Sequence, residues 1–389
     1  MPKRSDDEVT TEDFPSSLPA LPSRGTPHVH FEVEGVRYEG VRELEVRPNG
    51  ERLLEVERRV ADGVLSGPCL IRQLANPVTF IQRQRMYEEV QLAFRLNHPN
   101  IAQIFHARAD DLEDAAYAVM EYVGGPSLET LVCAALVRGQ PLSEGFGLYV
   151  GAEVADALHY AHTLTSEKGV PLGIIHRDVS PRHIALGLHG EVKVLDFGAA
   201  YSVMVGREES PETLLRGDVA YCCPEYLRRE KLTPRSDVFS LGVMLVEVLT
   251  CRHLFEVHDV PGVVAKQTRL RTEVPPSLPL HQMQALMETF DLDVVEKAVA
   301  HLNEDLKAVL HTALRLNPEE RFATAADMRD ALRGIAHARL REPYGRAEAA
   351  KEAARVVSEG GKLRDQVEFG EAGRYPAGLD AHELGLKRE

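Results

Sequence analysis

The sequence predicts an α+β protein, a small β-rich part followed by a larger, mainly helical one, and three stretches carry that reading. From Phe31 the runs FEVEGVRY, VRELEV, ERLLEVERRV and PCLIRQL swap apolar and charged residues, the pattern of antiparallel strands with one wet face. Over residues 148–164, Val150, Val154, Leu158 and Ala161 recur at helical spacing. Residues 174–198, IIHRDVSPRHIALGLHGEVKVLDFG, alternate at Ile184–Leu186 and again over 192–195, around Leu188-His189-Gly190. That pattern predicts a two-stranded hairpin holding Asp178 and Asp196 at one end, on short loops beside a cleft.

Composition bounds the function classes. A chain of 389 residues has room for two lobes, and 44% hydrophobic with 27% charged residues is ordinary for a soluble globular protein. No apolar run approaches the roughly 20 residues that cross a bilayer, and no signal peptide opens the sequence. The net charge of −15 argues against nucleic acid or an anionic membrane as the main partner. Five cysteines without metal-like spacing, two of them adjacent at Cys222 and Cys223, fit a reducing compartment, so the cytoplasm is the expected location. His28 with His30, and His159 with His162, are read as solvated tail and as packing residues, not as zinc ligands.

His176-Arg177-Asp178 followed by Asp196-Phe197-Gly198 resembles the protein kinase family, whose pattern is His-Arg-Asp-Leu-Lys-Pro-x-Asn and then Asp-Phe-Gly. The chain looks like a divergent bacterial eukaryotic-like Ser/Thr protein kinase. The resemblance implies a two-lobed protein-kinase-like α+β fold, with residues 31–123 as N-lobe and 124–337 as C-lobe. Composition makes 1–30 a disordered tail and leaves 338–389 as an extension, helical over 346–357 and loose from Ser358. By resemblance Asp178 orients the attacking hydroxyl, Arg177 pairs with a phosphate on the activation loop, and Asp196 holds Mg2+ or Mn2+ on ATP. Ser180 stands at the family's Lys position and His183 at its metal-facing Asn.

The N-lobe departs further from the family pattern. If Leu44 precedes the nucleotide-covering turn, its three glycine positions hold Glu45, Arg47 and Gly50, and Pro48 removes one amide donor. The CLIR segment matches the family's Val-Ala-Ile-Lys strand and puts Arg72 where a Lys pairs the α- and β-phosphates. Its implied partner is Glu89, on a helix predicted over 80–96. A guanidinium fork is no conservative replacement for a compact ammonium. Leu70 falls at the roof of the implied adenine site and Ala185 at its floor, with Met120 at its back. Glu121 and Val123 are the implied hinge residues whose backbone faces the purine edge.

Beyond Gly198 a polar stretch carrying Ser202, Ser210 and Thr213 resembles an activation loop, closed by Tyr221-Cys-Cys-Pro-Glu225. Asp218 stands where active Ser/Thr kinases usually carry Thr. Placed near Asp178, it is read as raising the pKa of both carboxylates. Structural positions of the family are present: Asp237 beneath the catalytic loop, and Arg321 as partner of Glu225. The resemblance runs over most of the chain, from about Phe31 to about His337. It implies a kinase-fold switch or scaffold with impaired phosphotransfer, a pseudokinase whose partners are other signalling proteins or kinases. The alternatives are an active Ser/Thr kinase with an atypical ATP site and a small-molecule phosphotransferase on the same fold.

Overall fold

A computed structural model describes residues 28–33, 36–46, 51–60, 65–74, 87, 90–108, 116–197, 200, 218–255 and 280–368. The chain divides into two compact units at Val123–Gly124, with Asp196 and Phe197 returning to the first unit.

The first unit is a six-stranded antiparallel sheet of β1 (His28–Val33), β2 (Val36–Val46), β3 (Glu51–Arg59), β4 (Leu65–Leu74), β5 (Ile104–Arg108) and β6 (Tyr117–Glu121), in the order β1-β2-β3-β4-β6-β5. The run FEVEGVRY is not one strand. Val33 pairs antiparallel with Val36, so the run is shared between the end of β1 and the start of β2. Strand β1 also begins at His28, ahead of the start that alternation gives at Phe31.

Period-2 alternation gives the sheet two characters. On one face Leu54 pairs across to Ile71 and Ile71 to Val119, and these join Tyr38, Val56, Cys69 and Tyr117 in one core cluster. On the other, Leu53, Arg72 and Ala118 are in register, and Ala118 packs with Leu74, Ala116 and Val90. Charges along β2 and β3 meet across the strands, as in Arg42–Glu55 at 2.5 Å and Arg59–Glu39 at 2.5 Å. Opposite-charge cross-strand pairs of this kind contribute about 0.2–1 kcal/mol each, which suits a wet sheet surface.

The second unit holds a short hairpin, β7 (Ile184–Leu186) and β8 (Val192–Val194), and the helices. These are α1 (Leu128–Val137), α2 (Glu144–Thr163), α3 (Pro224–Leu227), α4 (Pro234–Thr250), α5 (Leu280–Glu288), α6 (Leu292–Val299), α7 (Glu304–Ala313), α8 (Ala325–Arg339) and α9 (Arg346–Glu368). Helix α4 is the centre of the core. Val238, Phe239, Leu241 and the run from Val243 to Val246 are buried, and α2, α6, α7 and α8 pack around it. Each such buried Leu or Phe contributes about 1.5–3 kcal/mol relative to exposure. Its start is fixed by a capping box, in which Thr233 N donates to Ser236 Oγ at 3.1 Å.

Helix α9 runs past the point where sequence periodicity stops. The sequence alone ends it near Val357, because Gly360-Gly361 is a poor helix-forming pair. The structure carries it to Glu368, with Ala349, Ala353, Val356 and Val357 buried against the rest of the unit. Tertiary packing overrides local propensity there.

Candidate active site

The catalytic-loop segment is held from below by one carboxylate. Asp237, in the first turn of α4, accepts from His176 N at 2.8 Å and Arg177 N at 2.9 Å, and pairs with His162 Nε2 at 2.7 Å. Burial pushes its pKa up, but the bond to His162 and the backbone donors outweigh that and hold it below the usual carboxylate range. Arg177 is bent into the left-handed region at φ 66°, and the two amide bonds to Asp237 hold it there. His162 thus has a clear role that its helical spacing with His159 does not reveal. Among the described residues no three His, Cys, Asp or Glu side chains gather as a metal cluster.

Asp178 is oriented by its neighbours on three sides. Asp178 N donates to His176 Nδ1 at 3.3 Å, so the His176 proton is assigned to Nε2, which donates to Leu195 O at 3.0 Å. Burial holds the His176 pKa below normal, consistent with that neutral ring. His183 Nδ1 lies 3.0 Å from Asp178 O and 3.4 Å from Asp178 Oδ2, and Ser180 Oγ is 3.5 Å from the same nitrogen. Asp218 N donates to Asp178 Oδ1 at 3.0 Å.

The expectation for Asp218 is corrected by the structure. Its carboxylate does not confront Asp178 but turns back to cap the 3-10 turn Val219–Tyr221, Oδ1 accepting from Ala220 N at 3.0 Å. Burial pushes the Asp178 pKa up, yet the hydrogen bond and charge of His183, with the Asp218 amide, bring it below its usual value. Asp218 therefore helps Asp178 ionise, through its backbone.

Ala185, the implied floor of the adenine site, is buried on β7, pairs with Lys193 and makes a bridge to Ser127. Leu186 N donates to Pro126 O at 2.9 Å, tying the segment after the hinge to the hairpin. Further into the unit, Arg321 forks onto Glu225, Nη1 to Oε1 at 2.7 Å and Nη2 to Oε2 at 2.8 Å, and also donates to Arg235 O, Arg315 O and Leu316 O. Its guanidinium carbon lies 4.8 Å from the centre of the Phe239 ring. None of the five cysteines is in a disulfide, and all are buried.

In the first unit, Arg72 lies between Leu53 and Ala118, nearly buried, with Nη1 3.6 Å from Asp196 Oδ1. Asp196 takes a left-handed φ of 54°. Leu70 lies between Glu55 and Met120 on the same face as Arg72, and both Leu70 and Met120 are half-buried. The Glu121 amide is spent on Gln103 O at 2.8 Å, and its carboxylate accepts from Gln103 N, while Val123 ends the unit. Gly50, Glu89, Ser202, Ser210 and Thr213 lie outside the described residues, as do Arg47 and Pro48 of the implied nucleotide turn.

The two side chains that the resemblance assigns to magnesium do not fit it well. Asp196 is paired with Arg72, and His183 brings imidazole nitrogens, one of them turned to Asp178, where magnesium takes oxygen ligands.

The protein kinase domain family matches residues 73–332, and the chain belongs to that family. Bacterial relatives accompany the match. The chain is 32% identical over 264 residues to Tyrosine-protein kinase MasK of Myxococcus xanthus, covering 68% of this chain and 37% of that protein. It is 33% identical over 281 residues to Serine/threonine-protein kinase PknB of Mycolicibacterium smegmatis, 72% of this chain and 39% of the relative. Serine/threonine-protein kinase PrkC of Bacillus subtilis is 32% identical over 262 residues, 65% of this chain and 37% of the relative. The matches thus span under two-fifths of those relatives' length. Among the described residues no helix is long and apolar enough to cross a membrane.

Proposed function

We propose that this chain is a cytoplasmic signalling protein on the Ser/Thr protein kinase fold, a switch or scaffold whose own phosphotransfer is strongly impaired. The observation that carries this reading is the Arg72–Asp196 pair, 3.6 Å apart. Two groups that a kinase turns toward phosphate and metal are here engaged with each other. Arg72 also puts a planar guanidinium where the family turns a compact ammonium to phosphate. His183 adds to the effect, since its Nδ1 is committed to Asp178. Losing one preorganised electrostatic group typically costs about 10²–10³ in rate.

On this reading ATP binds weakly and magnesium adds little, whereas manganese, which tolerates imidazole better, adds more. Thermal shifts with ATP alone and with each metal test it. A small shift that is the same with and without magnesium is the expected result; a large magnesium-dependent stabilisation speaks against it. One observation favours a second reading, an active kinase with an atypical ATP site. Asp178 is held ionised by His183 and the Asp218 amide, as a hydroxyl-orienting carboxylate requires.

A further inference from the structure

The family match ends at residue 332, yet helix α9 begins at Arg346 and buries Ala349, Ala353, Val356 and Val357. It touches the second unit at three separate places. Its first residue lies on the turn of the β7–β8 hairpin: a Cβ added at Gly190, whose φ is +81°, would stand 1.9 Å from Arg346 O. That turn is bonded from below as well, by Tyr149 OH donating to Gly190 O at 2.8 Å. Further along the helix, Glu352 is a buried carboxylate with every observed bond directed at the start of α2 and the entry to α9. It accepts from Ser143 N at 2.7 Å and Ser143 Oγ at 2.6 Å, and from Tyr344 OH at 2.6 Å. Nearer the end of the helix, Gly360 lies against α1, where an added Cβ would stand 2.8 Å from Ala134 O. Beside it Glu359 pairs with the nearly buried Arg138 at 3.0 Å.

The elements so gripped are the ones that carry the candidate site within this unit. The hairpin holds Ala185, and its open end is bonded to the catalytic loop, Leu195 N donating to His183 O at 2.8 Å. Helix α1 follows directly on Pro126 and Ser127, which are bonded to Leu186 and Ala185. Glycine at Gly190 and Gly360 permits backbone contact that any side chain would prevent, so the fit is written into the sequence at both ends of the grip.

We propose that residues 344–368 form a C-terminal clamp that fixes the β7–β8 hairpin against α1 and α2 and thereby positions Ala185, His183 and Asp178. Glu352 is its anchor and acts as a positioning residue, without touching any reacting group. The clamp operates whether or not the protein transfers phosphate, so its test is independent of the function proposed above.

The test is amide hydrogen exchange on the full chain, comparing wild type with Gly360→Val. The clamp predicts that Leu186 and Leu195 exchange at least about tenfold faster in the variant, while amides in the middle of α4 keep their wild-type rates. If α9 itself loses protection and the hairpin does not change, the helix is a passive addition and the proposal is wrong. If α4 accelerates in the same proportion as the hairpin, α9 merely stabilises the whole unit, which also overturns the clamp. Should Gly360→Val not accumulate as folded protein, Glu359→Arg takes its place, setting two cations together at the exposed edge of the grip. Faster exchange confined to Leu186 and Leu195 then supports the clamp, and either of the other two patterns overturns it.

Discussion

The two units handle buried charge in opposite ways. In the second, Glu225 and Asp237 are met by short, multiple bonds: a bidentate guanidinium for one, two amides and a histidine for the other. In the first, Arg72 meets Asp196 at 3.6 Å, a looser pair of groups that the family directs elsewhere. The difference separates two kinds of constraint. A buried charge that supports the backbone cannot be replaced without losing the fold, because the partner left behind is stranded out of water. A charge that faces nucleotide can change at the cost of chemistry alone. On the function proposed above, this protein keeps the first kind and has altered the second.

Breaking the supporting kind should have the largest effect. Arg321→Ala leaves Glu225 buried without its cation and removes one donor from each of three carbonyls, for a loss of about 3–5 kcal/mol in urea unfolding. A loss below about 1 kcal/mol would mean that the framework is not held by its charges, and the contrast between the units would fail.

A smaller effect sharpens the comparison, because the half-buried Glu247 of the second unit is bonded to a phenol and, among the described residues, forms no ion pair. Tyr221 OH donates to Glu247 Oε2 at 2.5 Å, while Tyr221 packs edge-on to His253. Burial pushes the Glu247 pKa up, only partly offset by the Tyr221 bond and aided by Glu129 and Asp218, to about 7 from 4.5. A carboxyl raised on folding binds its proton more tightly in the native state. Its contribution to stability is therefore complete below about pH 4.5 and is lost as pH rises through about 7. Glu247→Gln, which keeps an acceptor for Tyr221, should remove that slope and raise stability by about 1–3 kcal/mol near pH 8, with little change near pH 4. Urea midpoints at the two pH values check it, and an unchanged slope would show that another group carries the dependence.

How much of this was legible in the sequence follows the same division. The hairpin around Ala185 was readable from alternation alone, and the positions of Asp237, Glu225 and Arg321 from the resemblance, because each sits in a local motif. The division of FEVEGVRY between β1 and β2 was missed because charged and apolar residues alternate along the run. Asp218 was misread because residue type says nothing of direction; its carboxylate caps Val219–Tyr221 and only its amide faces Asp178. The extension of α9 was hidden by Gly360-Gly361, whose low helix propensity is reversed by contact with Ala134, distant in sequence. The partnership of His162 with Asp237 likewise joins two helices that no local pattern connects.

The central claim, that the supporting charges are kept while the phosphate-facing ones no longer serve transfer, is tested most directly by a phosphotransfer assay on the purified full chain. ATP is supplied with magnesium or manganese and a protein substrate, and Asp178→Asn serves as the control that a contaminating kinase would ignore. Ordinary kinases turn over at about 1–100 per second. The expected rate is lower by roughly 10³–10⁵, recovered only in part by Arg72→Lys with His183→Asn. Transfer at ordinary kinase rates by the unmodified chain, abolished by Asp178→Asn, would contradict the claim.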